Sequence, residues 1–243
     1  DEFYDPDGNA GDIGTFRDTL FSIYAEYGVI EDLTLLGNLP FRRLTVNRRE
    51  GRLSGVEIFE GDAVNAISDA QIGALYRLWS GGGSVLSLYG QLGLPIGVTG
   101  QENGLVTGDG EADVTGQLRV GHGFSGLPIY VSLEAGYTAR FEGFSDEIPY
   151  RAEVGWVFND WGGLLLARAN GIQSLKNGED GTGETVANEA NLFVNNASFL
   201  ALQAEFTVSV FDGLGVSAAA ETAVYGENVF RASAFTVGLV WER

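Results

Sequence analysis

Alternation between apolar and polar residues is the feature of this sequence that most restricts its fold. Over residues 127–141, the odd-numbered positions are apolar or aromatic and the even-numbered positions are mostly polar or small. Successive side chains of a β-strand point to opposite faces of the sheet. Fifteen residues of this pattern therefore predict one long strand with an apolar face and a polar face.

Ten further segments show the same period of two, and no segment shows a convincing helical period. The pattern therefore predicts an all-β fold of eleven antiparallel strands. The clear segments are residues 85–94, 112–124, 199–210, 214–225 and 233–241, and the weaker ones are 19–27, 33–41, 70–79, 150–158 and 161–172.

The connections between these segments alternate between short and long. Short turns rich in Gly, Asn and Asp supply the positive φ that tight hairpins need. Because the two kinds alternate, all short turns are expected at one end of the sheet and all long loops at the other. The short turns are 30–32, 81–83, 125–126, 159–160 and 212–213, and the other connections are 43–66, 97–111, 142–148, 173–190 and 226–230.

The composition excludes several classes of protein. No stretch approaches the roughly 18 consecutive apolar residues of a transmembrane helix. The chain has no Cys, so disulfide frameworks and thiol chemistry are excluded. A formal net charge of −19 over 243 residues argues against a nucleic-acid partner, which would need Lys and Arg to neutralise phosphates.

Alternation alone does not say whether the apolar face of a closed sheet points inward, as in a soluble barrel, or outward to lipid. Three features favour a transmembrane barrel: strands of about 10–15 residues, against about 5–6 in globular proteins, short turns opposite long loops, and aromatic residues near both strand ends. The aromatic residues are Tyr27, Trp79, Phe124, Phe158, Trp161, Phe211 and Trp241 near the short turns, and Phe41, Phe141, Tyr150, Phe193 and Phe230 near the long loops.

An odd strand number is unusual, because single-chain bacterial barrels have even numbers of strands. We therefore expect a 12-stranded barrel, of which eleven strands are visible in this sequence. Residues 1–16 are expected to be an acidic extracellular loop segment, and residues 17–243 the barrel. The strand starting near residue 17 and the last strand should then have an unfilled gap between them.

Several short motifs resemble a known family. The runs DEFYDPDGN (1–9), YAEYG (24–28), EDLTL (31–35) and NLPF (38–41) resemble bacterial outer-membrane barrels grouped with the meta-pathway phenol-degradation transporters. The resemblance is strongest over residues 1–80. It implies a further strand before the DPDGN-like segment, location in the outer membrane, and passage of small hydrophobic or aromatic compounds. The motifs are structural turns, so they bear on fold more than on substrate.

With the apolar face outward, the opposite face of the strands lines the lumen. Both signs of charge occur on neighbouring strands, so Arg–carboxylate ladders are expected there. They either fill and stiffen the barrel or form a charge-lined channel that selects solutes, with Arg77, Arg119, Arg151 and Arg168 setting its electrostatics. The predicted lining residues are Glu26, Arg42, Asp69, Arg77, Gln91, Asp113, Gln117, Arg119, Glu134, Arg140, Arg151, Glu153, Arg168, Asn170, Gln203, Glu205 and Glu221.

Other candidate sites have little support. His122 is the only histidine and falls on the apolar face, which argues against a catalytic Ser-His-Asp site and against an enzyme. Asp5, Asp7, Asn9 and Asp12 have calcium-like spacing, but the loop departs from the EF-hand pattern and also fits an Asp/Gly turn. The chain has no phosphate-binding glycine motif before a helix, and no cofactor is expected.

Two functions remain open from the sequence. The first is a passive outer-membrane channel for small solutes, with hydrophobic or aromatic compounds among the candidates. The second is a structural or anchoring barrel of an envelope complex, with a plugged lumen. The expected partners are outer-membrane lipid and lipopolysaccharide, a small solute and, for the second function, an envelope protein.

Overall fold

The structure is a computed structural model, which describes residues 2–12, 16–46, 49–50, 57–59, 62–99, 105–158, 162–179 and 193–242. Most of these residues form one curled antiparallel sheet, and two smaller sheets have three and two strands. No helix among the described residues is long and apolar enough to span a membrane. The long strands are β1 (Phe16–Ile30), β2 (Leu33–Val46), β3 (Ala70–Gly81), β4 (Ser84–Leu94), β5 (Asp113–Gly123), β6 (Ile129–Arg140), β7 (Glu147–Phe158), β8 (Gly163–Ser174), β9 (Ser198–Phe211), β10 (Leu214–Glu227) and β11 (Ser233–Trp241).

Each of the eleven alternating segments corresponds to one of these strands, so the all-β prediction is confirmed. The bounds differ most at the connection predicted for 43–66. There β2 continues to Val46, and the short strand Asp62–Ile67 pairs with it. This short strand runs on toward β3 with a break at Ser68 and Asp69, so the two pieces occupy one position in the sheet. The predicted turn 159–160 lies outside the described residues.

Strands adjacent in the chain are adjacent in the sheet, from β1 at one edge to β11 at the other. Antiparallel hairpin pairing of this kind places the short turns at one end and the long connections at the other. Gly83 and Gly213 take positive φ of 81° and 73° in two of the short turns, as tight hairpins require.

The two edge strands β1 and β11 do not pair with each other in the part of the chain that the structure describes. The strand Glu2–Tyr4 pairs with Ala10–Asp12 on one side and with Val229–Arg231 on the other. Ala10–Asp12 precedes β1 in the chain, and Val229–Arg231 precedes β11. At the long-loop end, the strand Glu2–Tyr4 therefore lies between the short strand that precedes β1 and the short strand that precedes β11. This arrangement agrees with the predicted gap between β1 and β11. The described part of segment 1–16 thus contains a short hairpin.

The two faces of the sheet differ in exposure as well as in polarity. On the apolar face, the side chains of Leu88, Leu118 and Leu133 are about half exposed. On the opposite face, Ser87 and Tyr89 are buried although they lie on the same strand as Leu88. The polar face is therefore the enclosed, concave one, and the apolar face is the outer one. A soluble barrel would have the reverse arrangement.

Most of the aromatic residues expected near the strand ends are exposed on the outer surface. Near the short turns, they include Tyr27, Phe211 and Trp241. At the long-loop end, Phe41 and Phe141 are exposed in the same way. The predicted residue Trp161 lies outside the described residues. Aromatic side chains are thus exposed at both ends of the apolar surface.

Three of the expected aromatic residues at the long-loop end are only partly exposed. Phe193 lies against Arg42, with the guanidinium carbon 5.2 Å from the ring centroid. Phe230 packs between other rings, because the N-terminal hairpin is paired beside it. The hydroxyl of Tyr150 donates to the backbone carbonyl of Phe199 at 3.0 Å. Contacts with neighbouring elements, which sequence position does not reveal, cover these three rings.

The exposed apolar face predicts a depth-dependent cost of charge in a lipid bilayer. Leu118 is at the middle of β5, and Val114 is near its end on the same face. Leu118→Arg should destabilise the vesicle-embedded protein by about 2–4 kcal/mol, and Val114→Arg by about 0–1 kcal/mol. Urea unfolding from phospholipid vesicles measures both, and equal small costs would contradict an outward apolar face.

Candidate functional site

Cross-strand pairing places most of the predicted lining residues on one face, called here the polar face. On neighbouring strands, Arg119 pairs with Glu134, which in turn pairs with Arg151. Because paired residues of a sheet share a face, this register unites the charged positions of β5 to β10. The other pairs are Asp113 with Arg140, Gln117 with Gly136, Arg151 with Asn170, Glu153 with Arg168, Arg168 with Gln203, and Gln203 with Glu221.

Arg168 on β8 is the centre of one charged cluster on this face. Its guanidinium forms ion pairs with Glu153 on β7 and Glu205 on β9. Its Nη1 also donates to Gln203 Oε1 at 2.9 Å. Each partner sits on a strand next to β8, so the cluster follows the wall of the sheet.

Glu153 also accepts a hydrogen bond from the hydroxyl of Tyr130, at 2.8 Å. The ring of Tyr130 reaches this carboxylate by lying across Gly155, its cross-strand partner. A Cβ on Gly155 would be 2.1 Å from that ring. The glycine is therefore required by the position of the tyrosine.

A second cluster contains two guanidinium groups around one carboxylate. Arg119 Nε lies 3.3 Å from Glu134, and Arg151 Nη1 lies 4.0 Å from the same carboxylate. Arg119 also donates to the amide oxygen of Gln117 at 3.0 Å and lies 3.7 Å over the ring of Tyr89. The side chain of Arg151 is 45% exposed, so it is the guanidinium of the two clusters that is least engaged.

Two further arginines mark the two ends of the sheet. At the short-turn end, Arg77 pairs with Asp32 at 2.6 Å and with Glu31 at 3.1 Å. At the other end, Arg42 lies 3.6 Å from Asp18 of the neighbouring strand. Both arginines therefore have carboxylate partners on the same or adjacent elements.

Arg140 at the end of β6 forms the densest cluster. It makes ion pairs with Asp109 and Glu147, both at 2.8 Å, and with Glu111. The ring of Phe144 covers it, with the guanidinium carbon 4.5 Å from the centroid. This cluster joins the connection between β4 and β5 to β6 and β7.

Asp69, one of the predicted lining residues, lies in the break before β3 rather than on a strand. Its carboxylate accepts the backbone N–H of Gly97 at 2.8 Å and of Asp109 at 3.1 Å. Burial raises the pKa of this carboxyl, although the two N–H groups oppose the shift. Asp69 therefore holds the connection between β4 and β5 against the break that precedes β3.

Three remaining carboxylates of the predicted set have simpler surroundings. Glu26 accepts a hydrogen bond from the hydroxyl of Tyr24, two residues away on the same face. Asp113 lies opposite Arg140 and within hydrogen-bond reach of Thr115. Glu221 lies opposite Gln203.

The polar face also contains three tyrosines that were not among the candidate site residues: Tyr24, Tyr89 and Tyr130. Each hydroxyl donates to a neighbouring carboxylate or amide oxygen. Strand parity was a signal that could have identified them. They share the parity of Glu26, Gln91 and Glu134 on the same strands.

The residues with calcium-like spacing form a turn. Asp5 Oδ1 accepts the backbone N–H of Asp7 at 2.9 Å and of Asn9 at 2.8 Å, and these hydrogen bonds hold the pKa of Asp5 below its usual value. Only the backbone of Asp12 is described. No group of three or more acidic or histidine residues that could hold a metal occurs among the described residues.

His122 lies on the apolar face, as its parity predicts, with its ring edge-on to Phe124. Sequence parity gives no indication that Ser84 Oγ lies 2.7 Å from its Nδ1. In the described part of the chain, no carboxylate bonds to this ring. A triad would require such an orienting acid.

No family model and no curated protein matches the sequence. Among solved structures, the fold is similar to the crystal structure of the COG4313 outer membrane channel from Pseudomonas putida F1. The two chains are 14% identical with a TM-score of 0.66, and the match covers 98% of this chain and 88% of the channel. This likeness confirms the antiparallel barrel fold that the alternation and the connections of the sequence predict.

The geometry of the two central clusters predicts different costs for two arginine substitutions. Arg168→Gln leaves Glu153 and Glu205 side by side without their shared cation, and should lower the free energy of unfolding by about 2 kcal/mol. Arg151→Gln removes an exposed, 4.0 Å pair and should cost less than about 0.5 kcal/mol. Denaturant unfolding in vesicles measures both, and a larger cost at Arg151 would contradict this assignment.

Proposed function

We propose that the chain is a passive outer-membrane channel for small solutes, with the polar face as its lumen. The observation that carries this proposal is the direction of the ion pairs. The pairs around Arg119, Arg151 and Arg168 all join neighbouring strands. Charges held along the wall leave the axis to solvent and solute, whereas pairs formed across the barrel would obstruct it.

The outer surface supports the location. Half-exposed leucines and valines cover the convex face, and aromatic residues such as Trp79 and Trp241 are exposed near the short turns. Lipid is the solvent that suits such a face, and closed barrels satisfy backbone polar groups there. The similar structure is an outer membrane channel, which favours the same location for this chain. Outer-membrane lipid and lipopolysaccharide are then its surroundings.

The lumen combines charge with aromatic surface. Arg119, Arg151 and Glu134 form a group with more positive than negative charge, beside the ring of Tyr89. Aromatic faces and guanidinium planes both offer stacking surfaces to a planar solute. We therefore propose small solutes, aromatic ones included, as the cargo class.

A structural or anchoring role with a plugged lumen is the second candidate. The observation that favours it is the contact between Arg42 on β2 and Phe193, which belongs to the connection between β8 and β9. These elements are separated by several strands in the sheet. A contact between them brings part of a long connection over the polar face.

Planar lipid bilayers test the channel. We expect stepwise current in wild-type protein, because the wall ion pairs leave a continuous polar path. Arg151→Gln should shift the reversal potential under a salt gradient toward cations, since it removes the least neutralised positive charge. Absence of current at every voltage would favour the plugged barrel.

A matched control distinguishes a lumen effect from a general loss of charge. Glu142 is exposed in the connection between β6 and β7, so Glu142→Gln changes one charge away from the central clusters. It should leave the sign and most of the size of the reversal potential unchanged. A shift of the same size from Glu142→Gln, in the opposite direction, would contradict the assignment of Arg151 to the lumen.

A further inference from the structure

Residues 105–112, called here the rim segment, are attached to the sheet at two separate places. On one side, Thr107 Oγ1 donates to the carbonyl of Ile67 at 2.6 Å, and the Asp109 N–H donates to Asp69. Thr107 is completely buried. The segment therefore packs firmly against the break between the two pieces of the β3 position.

On the other side, the rim segment binds the end of β6. Glu111 accepts a hydrogen bond from Arg140 Nε and another from the backbone N–H of Phe141, the latter at 2.7 Å. Its side chain is only 2% exposed. Because β4 and β5 lie between β3 and β6, these two attachments make the segment span the ends of four strand positions at the edge of the polar face.

The second attachment has an excess of negative charge. Asp109 and Glu111 from the rim segment and Glu147 from β7 all contact Arg140. Among the described residues, Arg140 is the only cation paired with any of these three carboxylates. One guanidinium is thus shared by three carboxyl groups.

Further carboxyl groups surround this cluster. Asp113 on β5 lies opposite Arg140, and Asp69 adjoins Asp109 from the other side. Asp146, before β7, accepts the backbone N–H of Arg140 at 3.0 Å. Each of these groups adds to the negative potential around the one guanidinium.

We propose that the rim segment is a pH-dependent cover of the polar face, packed while Glu111 carries a proton and released when Glu111 is ionised. A buried site with this charge imbalance favours the neutral form of one carboxyl. Glu111 is the best placed to be neutral, since it is the most buried of the carboxylates that contact Arg140.

The direction of the effect follows from linkage between protonation and packing. Burial raises the pKa of Glu111 to about 7 from 4.5, against the opposing effects of Arg140 and the Phe141 N–H. The packed segment therefore binds the proton more tightly than the released one. The bound proton therefore stabilises the packed segment fully at a pH below the ordinary pKa of Glu, and this stabilisation is lost as the pH rises through about 7.

Hydrogen exchange tests the switch without reference to transport. Protection factors for residues 105–112 in the vesicle-embedded protein, corrected for intrinsic exchange, are measured between about pH 5.5 and 8.5. In wild-type protein, we expect protection to fall as the pH rises toward about 7, by at most about tenfold per pH unit for one proton, and to level off above about pH 7, where Glu111 is ionised in both states. Constant protection across this range would overturn the proposal.

Two variants identify the titrating group. Glu111→Gln removes the charge and keeps an acceptor for Arg140, so protection should no longer depend on pH. Glu142→Gln changes an exposed carboxylate next to Phe141, so the protection of the rim segment should depend on pH in this variant as it does in wild type. Equal pH dependence in wild type and Glu111→Gln would overturn the assignment, and the wild-type titration decides the proposal if Glu111→Gln does not fold.

The covering role rests on the proposed channel, so a second measurement keeps the two ideas apart. Single-channel conductance should rise over the same pH range in which protection falls, and Glu111→Gln should abolish the rise. If the channel conducts but its conductance stays constant over the pH range in which protection falls, the covering role is overturned. Loss of protection in a protein that carries no current would contradict the channel and support the switch itself.

Discussion

Backbone pairing between adjacent antiparallel strands is the constraint on which the rest of this structure depends. Every long strand from β2 to β10 has partners on both sides. In lipid, an unpaired backbone group costs several kcal/mol, so this pairing allows an apolar surface to face outward. The same register determines which side chains share a face. The hydrogen-bonded pairing of the strands therefore determines which charged side chains meet in each cluster.

The register also explains why the arginines of the polar face are held along the wall. A residue on one strand has its nearest same-face neighbours on the two adjoining strands, where Arg168 finds Glu153 and Glu205. Arg119 and Arg151 meet in the same way at Glu134. Such pairs stiffen the wall, so the structural and channel interpretations of these charges are compatible.

The connections at the long-loop end depend on different physics. There, side chains replace the regular ladder as partners of backbone groups, as Asp69 does for Gly97 and Asp109. The partners of the buried carboxylates in this region are one guanidinium, that of Arg140, and backbone N–H groups. The protonation of these carboxylates therefore responds to packing far more than that of an exposed carboxylate would, and this links the rim segment to pH.

The sequence by itself determined the eleven long strands and their faces, because a period of two is a local property of the chain. It also placed the charged residues of the central clusters on one face by parity. Only the tertiary structure decided which carboxylate each arginine contacts, because that depends on the register between strands. The role of Asp69, the burial of Glu111 and the contact of Phe193 with Arg42 join residues far apart in sequence, in irregular connections where no periodicity exists to predict them.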